Sequence, residues 1–302
     1  MNYDFDRDFV RWVDDPEMLN RLYAYRSPVM REGRAYVIPS ATHPGQTEKK
    51  TGITTVMKLH IYKAGAHSRD RMRQRTGRGQ QRGNTRPAVV HRWLAFNAPL
   101  RAGQRPAILL LKGAERGTMV HRQIMEIVFG ASMEAVLRLP GNRLGIHPYA
   151  RMVLTHLINE MGLRPFLSEF RIHDAVIDCA TQIDLVAIDK TGRIVFIELK
   201  TGYSEGRFLR DCGDSWRIRA LADVSATFPC NERNKAVVQI VGGAVMAARK
   251  LRIPGTAFST CVLRVDDYGV YAEIVEPRFM NWLADVLYAS LVAERAARHI
   301  AR

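Results

Sequence analysis

Cysteine is scarce in this chain, long apolar runs are absent, and acidic residues nearly vanish from one basic stretch. Each shortage excludes something. Four cysteines in 302 residues (Cys179, Cys212, Cys230 and Cys261) stand 33, 18 and 31 positions apart with no Cys-x-x-Cys pair. That spacing argues against a zinc site or a disulfide framework and for reduced thiols. The longest uncharged apolar stretch, Ala236 to Ala248, has 13 residues, against the roughly 20 that a membrane-spanning helix needs. The first residues, Met1-Asn-Tyr-Asp-Phe-Asp-Arg-Asp8, are acidic and resemble neither a secretory signal nor an Arg-rich transit peptide. The expectation is a soluble intracellular protein. No Gly-x-x-x-x-Gly-Lys-[Ser/Thr] loop is present, which excludes a helicase motor of the common type.

What the chain has in excess is positive charge, +15 formally, and it is localised. Residues 49–92 hold 12 Lys and Arg against one acid, Asp70, and so carry +11 of that total. Within them, 67–86 has no apolar residue except Met72, so it cannot bury a face and reads as a flexible arm. Apolar residues make up 47% of the whole, enough for an ordinary folded core.

Periodicity places helix at 4–25, with Pro16 as a break, then strands at 54–62, 89–96 and 107–111. From 115 the pattern changes. Helices are expected over 115–137 and 148–161, the second with Pro148 in its first turn and Gly162 at its stop. Strands follow at 166–172 or a little beyond, 182–188 and 193–200. Then come a helix over 234–250, strands at 258–265 and 270–275, and an amphipathic helix over 281–299 with Leu283, Val286, Leu287 and Leu291 on one face. This order describes an α/β fold with a mixed sheet.

The informative stretch runs from Thr181 to Gly202. Lys190-Thr191-Gly192 between two apolar runs reads as a three-residue hairpin loop, with glycine where φ must be positive. Centring the hairpin on Thr191 pairs Ile188 with Ile194 and sets Asp184 opposite Glu198. A bulge at Gly192 would slip that pairing by one. Side chains alternate, so Glu198 and Lys200 share a face. Ile194-Val-Phe-Ile197 suits a strand buried on both faces, which leaves Glu198 at the margin of the core. Two carboxylates there repel each other and resist burial. A divalent cation relieves both costs, and oxygen ligands suit Mg²⁺ or Mn²⁺. Lys200 then stands where it orients a water or neutralises a phosphate. Alone, [Asp/Glu]-x-Lys is weak: Glu48-Lys49-Lys50 also matches, in a segment where no strand is expected before it.

Asp184 followed by Glu198-Leu199-Lys200-Thr-Gly202 resembles the PD-(D/E)XK nuclease superfamily, and its RecB-like branch in particular. That branch includes the mitochondrial genome-maintenance exonuclease. Gly117-Thr-Met-Val-His121 matches the branch's upstream Gly-x-x-x-His helix. Gln239 matches the Gln of its later Gln-x-x-x-Tyr motif, whereas Gly243 replaces the Tyr. The resemblance spans about 115–275. It implies a restriction-endonuclease-like core in 111–302, a mixed central sheet flanked by helices and closed by the C-terminal helix. Residues 1–110 form an N-terminal extension with the basic arm at about 63–92. It further implies a Mg²⁺- or Mn²⁺-dependent deoxyribonuclease acting in DNA recombination, replication or repair, more an exonuclease than an endonuclease. Asp184, Glu198, the Leu199 carbonyl and His121 would hold the metal, and Lys200 would position or deprotonate the attacking water. Some of these nucleases carry an iron–sulfur cluster through a Cys ahead of the His. None precedes Cys179 here, so no cluster is expected.

His121 shares a helical stripe with Ile124, Met125 and Val128, which fits either a core histidine or a ligand, with an imidazole favouring Mn²⁺. Gly117, one turn earlier, would let that helix approach the sheet. Glu169 is either a further ligand or second-shell group, or a solvent-facing strand residue. Gln239 sits on an otherwise apolar helix and needs a partner. Glu160, Asp174 and Asp178 are weaker candidates, Asp189 reads as a turn residue, and Lys235 as a phosphate contact or a solvated lysine. Arg69, Arg71, Arg73, Arg75, Arg78, Arg82 and Arg86 would grip DNA phosphates without regard to sequence. The rival reading is a non-catalytic nucleic-acid-binding protein that works through this arm.

Overall fold

The computed structural model describes residues 16–25, 27–32, 35–53, 113–128, 146–210 and 231–300. The basic arm with its seven arginines lies outside them, as do the strands expected at 54–62, 89–96 and 107–111, and Cys212 and Cys230. The described elements are α1 (Pro16–Ala24), β1 (Met30–Glu32), β2 (Ala35–Pro39), β3 (Thr47–Gly52), α2 (Gly113–Val128), α3 (Pro148–Thr155), β4 (Arg164–Asp174), β5 (Cys179–Ile188), β6 (Ile194–Thr201), α4 (Glu205–Phe208), α5 (Glu232–Leu251), β7 (Phe258–Val265), β8 (Val270–Ile274) and α6 (Pro277–Ile300). The protein is a mixed α/β fold. Strands β4 to β8 form a mixed five-stranded sheet in which only β6 and β7 run parallel.

The hairpin formed by β5 and β6 keeps the register expected from its loop. Ile188 faces Ile194 and Leu185 faces Ile197. Gly192 has φ +80°, and the Asp189 carboxylate accepts from the Thr191 and Arg193 amides, which closes the turn. Ile194 and Phe196 point into a core shared with α1, α5 and α6, whereas Val195 and Ile197 point into a second core under α2 and α3. Burial on both faces follows from an unbroken apolar run in a central strand.

Helix α3 starts as its sequence suggests, with Pro148 in its first turn and the His147 ring accepting from the Tyr149 amide. It continues into a π-helical turn, His156–Glu160, before Gly162 reverses at φ +64°. Helix α5 is capped by the Asn231 side chain on the Asn234 amide.

The N-terminal region departs from expectation. Residues 30–52 hold three strands that the sequence reading did not assign, joined as an antiparallel sheet. Glu48-Lys49-Lys50 therefore lies on a strand with others before it, and Lys50 pairs with Glu48 and Asp178, each at 2.9 Å. Strand β3 also runs parallel to β5, Thr51 against Cys179 and Gly52 against Ala180. Met18, Leu22 and Ile53 join the α5 core. Part of the extension is thus packed into the main fold.

Strand β4 covers one edge of β5 throughout, so β3 and β6 must divide the other. Between them, Thr181 to Asp184 pair with neither, and the sheet has a notch there.

Candidate metal centre

Asp184 stands at the inner end of that notch. The cross-strand pairs that flank it are Ser168 with Leu185 and Phe170 with Ile183, so Glu169 is its opposite on β4. Side-chain alternation shifts by one at this point. Ile183 packs in the α5 core together with Val186 and Ile188, whereas Leu185 and Ala187 pack under α2. Glu169 itself has φ +54°. A non-glycine residue in the left-handed region costs about 1–2 kcal/mol and persists only where its surroundings enforce it. Such outliers gather at functional sites, and this one lies opposite Asp184.

Helix α2 brings the third group. Gly117 lies against β6, and a Cβ there would come 3.1 Å from the Thr201 hydroxyl. That close approach sets His121, one turn later, over Asp184 and Glu169. Its Nδ1 is 3.5 Å from an oxygen of each. The ligand atoms of His121, Glu169 and Asp184 all fall within 4.8 Å of one another, a spacing open to a shared cation. Burial alone would lower the imidazole pKa, but the two carboxylates outweigh it and raise it to about 10.

Glu198 and Lys200 adjoin this group. Glu198 is 2% exposed; one of its oxygens accepts from the Lys200 ammonium at 2.6 Å, and the other has no hydrogen-bond partner among the described residues. Burial and the charge of Asp184 push its carboxyl up to about 7 despite Lys200. Burial opposes charge on Lys200 too, yet Glu198 and Asp184 raise its pKa and keep it cationic. Asp184 remains below the ordinary carboxylate range: burial would raise it, but His121, Lys200 and the Leu199 amide prevail. That amide donates to Asp184 Oδ2 at 2.8 Å, where β5 and β6 no longer pair as strands. An unpartnered buried oxygen beside a His/Glu/Asp group is a donor set that fits a divalent cation.

No family model matches this chain, and no curated protein matches it.

All these groups line one cavity of about 890 Å³, together with Gln239 from α5. Glu169, open between two readings in the sequence, belongs to the tight group, while Glu198 lies beside it. Glu160 pairs with His156, Asp174 with the Val176 amide, Asp178 with Lys50, and Lys235 with Glu232. None of these four lines the cavity. Sequence reasoning missed Gln182, whose amide donates to Glu169 and accepts from Arg171. It also missed Arg31 and Tyr36, which reach the cavity from β1 and β2. Burial raises the Tyr36 phenol, Arg31 opposes that, and Glu198, Asp184 and Glu169 reinforce it. For Gln182 the available signal was its position two residues before Asp184 on the same strand; for Arg31 and Tyr36 there was none.

Proposed function

We propose that this protein is a metal-dependent DNA nuclease with a restriction-endonuclease-like core, and that it hydrolyses phosphodiester bonds from DNA ends. The observation that carries this reading is the His121–Glu169–Asp184 group beside a Glu198–Lys200 pair at the end of a buried hairpin. The motif resemblance reached the same hairpin from sequence. His121, Glu169 and Asp184 would hold a Mn²⁺ or Mg²⁺ ion, with Glu198 closing the site from β6. A cation there supplies Lewis acidity toward a phosphoryl oxygen and lowers the pKa of a water. Lys200, kept cationic by two carboxylates, stabilises negative charge on the phosphate or aligns the attacking water. The Leu199 amide fixes one Asp184 oxygen and leaves the other facing His121.

The cavity also carries Arg31, Arg116, Arg122, Arg171 and Arg207. These guanidinium groups offset the acids and favour a polyanionic substrate.

The test offers wild-type protein circular DNA and linear DNA with either the 5′ or the 3′ ends blocked, in Mn²⁺ and in Mg²⁺. Cleavage of linear DNA from one open end, lost in Asp184→Asn with DNA binding retained, is the expected result. Cutting of the circle would assign an endonuclease instead. If every substrate stays intact with both metals, the reading is wrong.

A further inference from the structure

The cavity has one aromatic wall that metal-assisted hydrolysis does not require. Arg31 and Tyr36 are direct cross-strand partners on β1 and β2, and both line it. The Tyr36 ring rests on Gly52 of β3, where a Cβ would come 3.1 Å from the ring edge. Because β3 pairs with β5 beside the notch, the ring is anchored next to the carboxylates. The other tyrosine of the cavity, Tyr203, is occupied: Arg207 lies over its ring at 5.7 Å and Phe208 packs at 6.3 Å.

We propose that Tyr36 and Arg31 form a subsite for one unpaired nucleotide next to the scissile phosphate, Tyr36 stacking on the base and Arg31 meeting a phosphate. The inference rests on the nuclease reading and deepens it, since it names a single strand as the substrate at the carboxylates. A base inside a duplex has both faces covered by its neighbours, so an aromatic side chain reaches a base face only in an unpaired strand. Paired cation and ring are the elements by which proteins hold single strands without reading sequence. Arg171 extends the cationic side from β4, next to Glu169 through Gln182. The described part of the N-terminal region would then be the strand-holding wall of the site.

The experiment measures binding of a labelled oligothymidine and of a duplex of equal length, in the Asp184→Asn background so that neither is cut. Tyr36→Leu keeps apolar bulk on Gly52 and removes the ring. It is expected to weaken single-strand binding about tenfold, within the range for loss of one stacked base, with duplex binding unchanged. Tyr36→Phe keeps the ring and should bind as the parent does. Arg31→Gln, at an exposed position, should reduce the salt dependence of single-strand binding by about 0.7 in slope. Unchanged single-strand affinity in Tyr36→Leu, or equal losses for single strand and duplex, overturns the subsite. If wild-type protein cleaves DNA while Tyr36→Leu binds normally, the subsite alone fails. If Tyr36→Leu lowers single-strand affinity but wild-type protein cuts nothing, the subsite stands and the nuclease reading fails.

Discussion

Replacing Glu198 by Gln should make the metal-free protein more stable at alkaline pH and less responsive to metal. In the wild type this carboxyl is buried, has one oxygen on Lys200 and one without a partner among the described residues, and faces the charge of Asp184. Its pKa rises from 4.5 to about 7. Between those values the folded protein holds a proton that the unfolded chain has released, so stability falls as pH rises through the window and levels off above it. A shift of that size corresponds to about 3 kcal/mol. Gln has nearly the same shape and no charge to ionise, so Glu198→Gln lacks this loss. The two proteins should unfold alike in urea at pH 4.5, and the variant should be about 3 kcal/mol more stable at pH 8 in EDTA, with equal m-values. Excess Mn²⁺ should then stabilise the wild type by about 2.7 kcal/mol at one hundred times its dissociation constant, and the variant by less. Parallel pH profiles for the two proteins would refute the reasoning, as would an equal response to Mn²⁺.

Four further outcomes follow from the same geometry. Burial opposes charge on His121, but the neighbouring carboxylates outweigh it and raise its pKa from 6.5 to about 10; stability from that charge is complete below 6.5 and is lost as pH rises through 10. His121→Ala should flatten that decline in EDTA and reduce the preference for Mn²⁺ over Mg²⁺ in a binding titration; an unchanged profile would remove the imidazole from the site. Gly117→Val pushes a side chain into the Thr201 hydroxyl, and should lower unfolding free energy by about 1–3 kcal/mol and displace His121, seen as weaker Mn²⁺ binding. Arg264 is buried on Asp266 at 2.6 Å, so Arg264→Met should cost about 3 kcal/mol in urea unfolding, with partial recovery in Arg264→Met/Asp266→Asn. Gly192→Ala forces a side chain into φ +80° and should cost about 1 kcal/mol without altering metal affinity.

The hairpin was legible because its determinants are local. A glycine in a three-residue loop sets the register, and an apolar run buried on both faces leaves Glu198 at the edge of the core. His121 was legible as a position on a stripe, but the stripe alone does not separate a ligand from a core residue; the distances to Asp184 and Glu169 do. Glu169 was ambiguous for a specific reason. Regular alternation along β4 assigns a face to each residue, and the left-handed backbone at Glu169, with the shift at Asp184, breaks that alternation where the acids meet. The strands at 30–52 escaped the reading because they are short and, among the residues whose burial is described, only Val37 and Gly52 are fully buried, so their apolar periodicity is faint.

By itself, then, the sequence determined the charge distribution, the order of the main elements from 115 onward and the register of the hairpin from Leu185 to Ile197, at whose end Asp184 and Glu198 stand. All of these depend on composition or on residues close together in the chain. Only the tertiary structure decided which acids gather around His121 and that Arg31 and Tyr36 form a wall of the same cavity. Those contacts join segments far apart in sequence. Their geometry is set by a parallel pairing at Gly52 and Ala180 and by a helix resting on Gly117, and no local pattern encodes either distance.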